Sequence, residues 1–295
     1  MSFTLPRRLW TVLEPIHAVT YFAPQARSAF EEAGYRGFWR GYFAGRAAPL
    51  GPVGAEPVTA MFYGFAPRMV ARALPGIWAS AGPRTALEAR SAGAVAALTH
   101  AFAVRPVPAD DEALGEVLAV LRRAVEAADL GGRPLGAANA ALSWPPEPVA
   151  ALWHGTTVLR ELRGDGHVAA LLTAGVSGLE SLVLRAGRDL QREILQPGRG
   201  WTDQEWQVAA DGLGSRGLLD GGHRVTSQGI ALLEDVEAIT DHLAAQPWQR
   251  FGAAELTDLV ERLAPLARAA SVVLPERNPI GLPSAGSDAQ QTGGS

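Results

Sequence analysis

The stretch that decides the fold is Trp201-Thr-Asp-Gln-Glu-Trp206, followed by Leu213-Gly-Ser-Arg-Gly-Leu-Leu-Asp220 and by Gly221-Gly-His-Arg-Val-Thr-Ser-Gln-Gly229. Thr202, with Glu205 three residues later, has the capping-box pattern that begins a helix. Two short strand signals, at residues 217–220 and 224–226, flank a Gly-Gly turn, and a further helix follows them. The order helix, hairpin, helix is that of the second half of a winged helix, a fold usually associated with DNA.

The charge of this stretch conflicts with DNA binding. It holds two arginines, Arg216 and Arg224, against eight acidic residues, which are Asp203, Glu205, Asp211, Asp220, Glu234, Asp235, Glu237 and Asp241. Carboxylates oppose contact with phosphates, and a DNA-reading helix presents Arg, Lys, Asn or Gln to the bases. The pattern therefore favours a winged helix used as a packing or dimer module, and a DNA reader stays open as the alternative.

The composition is that of a globular protein and excludes several kinds of chemistry. The chain has 295 residues and a formal net charge of -4, so no global charge attracts nucleic acid or anionic lipid. It contains no cysteine, and all 26 basic residues are arginine. Disulfides, thiolate metal sites and thiol nucleophiles are therefore excluded, and so are lysine Schiff bases and a P-loop lysine.

The sequence gives no sign of export or of a membrane span. The first residues, Met1-Ser-Phe-Thr-Leu-Pro-Arg-Arg8, lack the apolar core of a signal peptide. No window reaches the ~18 uninterrupted apolar residues that a transmembrane helix needs. We therefore expect a cytoplasmic protein that does not enter a membrane.

Most of the chain has the apolar spacing of helices. We predict an all-α fold, with a multi-helix domain at residues 1–175 and a winged-helix unit with a small β-hairpin within residues 176–283. The tail at 284–295, rich in Ser, Gly, Gln and Thr, is predicted to be disordered.

Two finer predictions concern the junction between these parts. The sequence Gly164-Asp-Gly166 is expected to break the chain between helices at 146–162 and 167–174. In that case Asp165 caps the second helix and forms an ion pair with a nearby arginine. A single helix is then expected at 178–195.

Polar side chains in otherwise apolar helical stretches indicate a site. His17 and Tyr21 are four residues apart and share a helix face. A second group lies between residues 154 and 167, and its members are His154, Arg160, Glu161, Arg163, Asp165 and His167. The three histidines are predicted catalytic proton donors or acceptors, because imidazole titrates near neutral pH. Each group also has a purely structural alternative. The histidines would then be core residues with their hydrogen bonds satisfied, and the charged residues would form an ion-pair network around the Gly-Asp-Gly turn.

An aromatic cluster supplies the remaining predicted ligand contacts. The segment Phe38-Trp-Arg-Gly-Tyr-Phe-Ala-Gly-Arg46 interleaves rings with arginine, and Tyr63 lies in a similar aromatic segment. Arginine among aromatic rings suits a carboxylate, a phosphate or a stacked ring. The predicted ligand-binding residues are Tyr21, Trp39, Arg40, Tyr42, Arg46, Tyr63, Arg160, Arg163 and Asp165.

Motifs for the commonest cofactors do not occur. No Gly-x-Gly-x-x-Gly follows a strand signal, and no Gly-x-Ser-x-Gly nucleophile elbow is found. The histidines have neither HxxxH nor HExxH spacing, so we predict no metal site. The cofactor, if there is one, stays unknown at this stage.

The chain resembles the actinobacterial SalK-like helix-turn-helix family over about residues 5–283. The shared motifs are His17-Ala-Val-Thr-Tyr-Phe22, Phe38 to Gly51, Leu152-Trp-His154, Arg163 to Leu171, Trp201 to Trp206 and Asn278-Pro-Ile-Gly-Leu-Pro283. The resemblance implies a helical region joined to a winged-helix region, and an association with actinomycetes and sometimes with specialised metabolism. It implies little about activity.

Three functional hypotheses follow. The leading one is a small-molecule-binding protein, either a binder or an enzyme of specialised metabolism, with its pocket in the helical domain. The second is a DNA-binding regulator of the MarR type, in which the pocket senses an effector. The third is a structural partner protein without a ligand. A small molecule is the expected partner, DNA is the less favoured one, and a homodimer is left open.

Overall fold

The computed structural model describes residues 4–107 and 111–275. These residues form α-helices and short 3-10 turns and contain no extended strand, so the all-α prediction is confirmed. In chain order the helices are α1 (Leu5–Phe22), α2 (Pro24–Glu32), α3 (Phe38–Ala47), α4 (Ala55–Met61), α5 (Pro67–Ala71), α6 (Pro83–Val104), α7 (Asp111–Glu126), α8 (Pro134–Ala140), α9 (Pro148–Thr173), α10 (Gly178–Arg188), α11 (Arg192–Arg199), α12 (Asp203–Ser215), α13 (Ser227–Ala244) and α14 (Ala253–Ala270).

The predicted β-hairpin is not formed by the described residues. A single antiparallel bridge pairs Leu219 with Val225 between α12 and α13. The carboxylate of Asp220 accepts hydrogen bonds from the backbone N–H groups of Gly222 and Arg224, which closes a tight turn directly after the bridge. The backbone N–H of Val225 donates to α10 instead of extending a ladder.

The predicted break at Gly164-Asp-Gly166 is wrong, because α9 continues through it. Asp165 caps no helix and forms no ion pair; its carboxylate accepts a 2.8 Å hydrogen bond from the backbone N–H of Gly136 in α8. The close approach between α8 and α9 is made by a different glycine, Gly136 of α8. A Cβ on Gly136 would lie 2.7 Å from Leu162, so α8 and α9 pack almost backbone to backbone.

The helix predicted at 178–195 is divided into α10 and α11. Asp189 ends α10, and its carboxylate holds Arg185 at 2.8 Å. After α11 the chain turns at Gly200, whose φ of 77° is in the left-handed region that favours glycine. Helix α12 begins directly after this turn with the predicted capping box of Thr202 and Glu205. The order α11, turn, α12 is a helix-turn-helix.

Helix α9 connects two hydrophobic cores. Leu152 and Trp153 near its start are buried with α1, α6, α7 and α14. Ala170 and Leu171 near its end are buried with α10, α12 and α13. A third core lies among α3 to α6. The division into two domains at residue 175 remains a prediction, and α9 is the element that would join them.

Some predictions fall outside the described residues. They concern the disordered tail at 284–295 and the shared motif at 278–283. Within the described ranges no single helix is both long and apolar enough to cross a membrane. The pair α9 and α10 passes that test together, by length and composition alone, but it is bent by 95°.

Candidate ligand-binding site

A cavity of about 850 Å³ lies between the helical body and the helix-turn-helix region. On the body side it is lined by α1, α3 and α9 and by the segment 61–65. On the other side it is lined by α10, by the ends of α11 and by α13. A volume of this size accommodates a typical organic ligand. Its aromatic lining includes Tyr21, Phe38, Trp39, Tyr42, Phe62 and Phe65.

Tyr42 is the centre of the aromatic wall. Its ring centroid lies 5.2 Å from that of Tyr21, 5.6 Å from that of Trp39 and 5.6 Å from that of Phe65. Phe38 stacks on it from one turn earlier in α3, because residues four apart share a helix face. The structure thus brings together rings from α1, α3 and the segment after α4, and the predicted Tyr21, Trp39 and Tyr42 all line the cavity.

An ion-pair network forms the floor beside these rings. Arg46 binds both carboxylate oxygens of Glu161, with contacts of 3.0 and 3.2 Å from Nη2. Arg160 donates from Nη1 to Glu161 at 3.0 Å and from Nε to Glu14 at 3.2 Å. Arg46 also donates to the hydroxyl of Tyr42 at 3.1 Å. The side chains of α1, α3 and α9 are therefore fixed to one another before any ligand arrives.

The carboxyl group of Glu161 is ionised at neutral pH. Burial alone would raise the pKa of this carboxyl group, but the charges of Arg46 and Arg160 outweigh burial and lower the pKa to about 2. An ionised Glu161 keeps both arginines charged and oriented. The network is therefore a rigid feature of the floor and not a switch near neutral pH.

Arg199, the last residue of α11, reaches the cavity from the opposite wall. Its guanidinium carbon lies 4.5 Å from the centre of the Phe65 ring. Among the described residues no carboxylate lies within 4.0 Å of it and none accepts a hydrogen bond from its guanidinium. Burial lowers the pKa of Arg199; the phenol of Tyr42 opposes that shift, and the charge of Arg46 adds to it. Within the described part of the chain it is a cation without a counter-ion.

Arg199 is not among the ligand-binding residues predicted from the sequence. It lies outside the predicted helix at 178–195, and it is separated by 134 residues from the ring on which it stacks, Phe65. The sequence Gln196-Pro-Gly-Arg-Gly200 before a capping box was the available signal, because it marks the turn of a helix-turn-helix. Nothing in the local pattern indicates that this turn faces a cavity.

Three contacts hold the turn against the helical body. The indole N–H of Trp201 donates to the backbone oxygen of Gly64 at 2.9 Å. The backbone N–H of Ala66 donates to the oxygen of Arg199 at 2.9 Å. Arg68 donates to the carboxylate of Glu205 at 2.8 Å, and this carboxylate also caps α12. The segment 64–68 therefore positions both Arg199 and the N-terminus of α12.

Two more predicted residues line the cavity. The hydroxyl of Tyr63 donates to the backbone oxygen of Val176 at 2.9 Å. His167 lies on α9, with Nδ1 3.0 Å from the hydroxyl of Thr240 and 3.9 Å from Glu237 on α13. Burial lowers the pKa of His167, and the charge of Glu237 partly offsets this. The ring is therefore mainly neutral at pH 7.

Three predicted ligand-binding residues lie away from the cavity lining. Arg40 faces outward on α3 and donates to the hydroxyl of Ser80 at 3.3 Å. Arg163 pairs with Glu237 at 3.0 Å and with Asp241 on α13. Asp165 faces α8, as described above. Arg163 and Asp165 thus hold helices together in this structure.

His17 lies one layer behind the cavity wall. Its Nε2 is 2.7 Å from the hydroxyl of Tyr21, and its Nδ1 is 2.9 Å from the hydroxyl of Thr157. Burial, reinforced by the charge of Arg160, holds the pKa of His17 well below its usual range. This histidine is a neutral member of a buried hydrogen-bond chain and reaches the cavity through Tyr21.

His154 lies in a different part of the structure. Its ring packs edge-on against Trp144 at 4.9 Å, and burial lowers its pKa to about 4. His167 is thirteen residues further along α9, which is about 20 Å of helix. The three predicted histidines therefore do not converge. Within the described ranges no group of three His, Asp or Glu residues is placed to hold a metal ion.

Comparison with known proteins identifies the family. No curated protein and no solved structure matches the chain significantly. The family model described as "Helix-turn-helix family" matches residues 6–274. This match includes the α11, turn, α12 arrangement and almost all of the helical body that forms the cavity with it. The chain therefore belongs to this helix-turn-helix family.

Proposed function

We propose that the protein binds a small organic molecule in the cavity between its helical body and its helix-turn-helix. The observation that carries the proposal is a cavity of about 850 Å³ with an aromatic wall and a preorganised Arg46–Glu161 floor. Ligand sites are typically concave and mostly apolar, with a few fixed polar groups. The resemblance to the actinobacterial SalK-like family makes a product or intermediate of specialised metabolism the ligand that we favour.

In this proposal the helix-turn-helix closes the cavity and does not read DNA. A recognition helix contacts bases with residues near its N-terminus. Here the N-terminus of α12 is held against the helical body by the contacts of Trp201 and of Glu205 with Arg68. The exposed side chains of α12 include Asp203 and Asp211, which would oppose phosphates.

The alternative is a regulator in which ligand binding changes contact with DNA. Membership of a helix-turn-helix family and the α11, turn, α12 geometry favour it. Such a protein would be a homodimer and would shift duplex DNA with a steep dependence on salt. We expect no shift at low salt. A shift that the bound ligand reverses would replace the present proposal with the regulator.

A catalytic role would fall first to His167. His167 lines the cavity, whereas the other two predicted histidines, His17 and His154, do not. Burial lowers its pKa, so its ring is available as a base at neutral pH. If the bound molecule is also a substrate, His167 is the group positioned to exchange a proton with it.

The direct test is a titration with N-phenyl-1-naphthylamine, a neutral aromatic probe that fluoresces in apolar pockets. Val168 lines the cavity on α9, while its neighbour Ala169 is exposed and lies outside the lining. We expect saturable binding to the wild type and to Ala169→Trp, and at least about tenfold weaker binding to Val168→Trp, whose indole fills the space. No saturable binding to the wild type, or equal binding to both variants, would reject the proposal.

A further inference from the structure

We infer that the ligand is an aromatic or polycyclic acid with a single negative charge, and that Arg199 receives its acidic group. This inference rests on the proposed function, since it concerns the ligand of the same cavity. It goes further by assigning a chemical class to the ligand and by giving the helix-turn-helix a direct role in binding.

The first argument is the balance of charge in the inner part of the cavity. Arg46, Arg160 and Arg199 carry positive charge there, and Glu14 and Glu161 carry the negative charge that compensates it. One guanidinium is therefore left without a counter-ion. Because a partly buried charge is costly unless it is paired, an anionic ligand group would relieve the imbalance with one unit of charge.

The other charges that line the cavity do not remove this excess. Arg7 and Arg163 together balance Glu237 and Asp241, and Arg185 pairs with Asp189. The remaining pair of lining charges is Arg188 and Glu234, which are both exposed and of opposite sign. Among the described residues that line the cavity, Arg199 is thus the surplus cation.

The second argument is the geometry of the two arginines on the aromatic wall. The guanidinium of Arg46 lies 4.0 Å from the ring centre of Phe62, and that of Arg199 lies 4.5 Å from the ring centre of Phe65. The centres of these two rings are 6.3 Å apart. Stacking leaves the N–H edge of a guanidinium available, and this edge matches the two oxygens of a carboxylate.

The two edges differ in what they bind. The edge of Arg46 is occupied by Glu161 and Tyr42. The edge of Arg199 donates to none of the described residues. Tyr42 adds a second donor, because its hydroxyl accepts from Arg46 and donates to no described group. An acid held by Arg199 would place its ring against the aromatic wall around Tyr42.

The experiment compares 1-naphthoate with the neutral 1-naphthamide as competitors for bound N-phenyl-1-naphthylamine. These two competitors have the same rings and differ in charge. In the wild type we expect the acid to displace the probe at a concentration at least about tenfold lower than the amide. In Arg199→Met this advantage should vanish, while Arg72→Met, which removes an exposed arginine outside the cavity lining, should keep it.

The outcomes separate the two levels of the proposal. If the probe binds but the acid and the amide displace it equally, or neither does, the inference about the acid is overturned and the proposed cavity function stands. If the probe does not bind the wild type, the proposed function itself fails. The acid–amide comparison in the wild type needs no variant, so poor folding of Arg199→Met would not leave the inference untested. An acid advantage that persists in folded Arg199→Met would assign the anion to another residue and contradict the role of Arg199.

Discussion

Both walls of the cavity place arginines next to aromatic rings, but the two walls differ in whether carboxylates neutralise those arginines. On the body wall, Arg46 and Arg160 are matched by Glu14 and Glu161 in a buried network. On the helix-turn-helix wall, Arg199 has no such partner among the described residues, and the exposed pair of Arg68 and Glu205 helps to attach this wall to the body. The comparison indicates that the body wall supplies rigidity, while the opposite wall supplies the charge that a ligand can satisfy.

The largest expected effect comes from removing the centre of the body network. Glu161→Gln would leave two guanidinium groups that are only slightly exposed, those of Arg46 and Arg160, without their shared carboxylate. We expect a loss of about 3–5 kcal/mol in the free energy of unfolding, as for other broken buried ion pairs. Urea denaturation measures it, with Glu56→Gln on an exposed turn of α4 as the control. A loss below about 1 kcal/mol would show that the body wall is not a rigid network.

The second effect concerns Asp165, one turn after Glu161 on α9. Burial raises the pKa of Asp165 to about 6, and its hydrogen bond from Gly136 only partly opposes this. Between about pH 4 and pH 6 the folded protein therefore retains a proton that the unfolded chain has released, so its stability falls as the pH rises. Asp165→Asn keeps a hydrogen-bond acceptor and removes this titration.

The variant Asp165→Asn should therefore equal the wild type near pH 4 and exceed it above pH 7 by at most about 3 kcal/mol. Denaturation curves at several pH values measure the difference. Asp129→Asn in an exposed loop is the matched control and should track the wild type. If Asp165→Asn is less stable than the wild type at pH 7.5, the ionised carboxylate of Asp165 stabilises the fold. That result would contradict a raised pKa for Asp165.

The third prediction has the opposite sign to the first. Replacing Arg199 with Met keeps the apolar stem and removes a half-buried cation that has no counter-ion. We expect the ligand-free protein to become more stable, by up to about 1 kcal/mol, because an uncompensated charge is removed. Arg188→Met on the rim should change stability by less than about 0.5 kcal/mol. A loss of more than about 1 kcal/mol in Arg199→Met would mean that Arg199 is a structural residue and that the two walls do not differ as described.

The smallest effect is expected at the exposed pair that attaches the helix-turn-helix. A double-mutant cycle of Arg68→Gln and Glu205→Gln should give a coupling energy of about 0.2–1 kcal/mol, because both side chains are solvated. The coupling should decrease as salt is added. A coupling above about 2 kcal/mol would place this pair with the buried network and remove the contrast between the two walls.

The local part of this architecture could be predicted from the sequence, and its long-range part could not. The spacing of Trp39, Tyr42 and Arg46 marks one face of α3, and this face does line the cavity. The capping box of Thr202 and Glu205 likewise forms as its residues indicate. These features depend on neighbours within one helical turn, which the sequence displays directly.

The features that were predicted wrongly or overlooked all depend on contacts between segments that are distant in the sequence. Gly164 and Gly166 around Asp165 indicated a break, but the carboxylate accepts a hydrogen bond from α8, and α8 packs closely on α9 through its own Gly136. Arg199 was overlooked because its ring partner, Phe65, lies on the other side of the cavity. Glu14 was not recognised as a partner of Arg160, from which it is 146 residues away. Such partners follow only once the helices are packed.

The most direct measurement of the central claim is photolabelling with a diazirine derivative of N-phenyl-1-naphthylamine, mapped by peptide mass spectrometry. If the two walls enclose one ligand site, labelled residues will come both from the body segment 38–65 and from the helix-turn-helix segment 181–199, and 1-naphthoate will protect both. Labelling confined to one wall, or found on exposed apolar side chains such as Val208, would contradict a shared cavity.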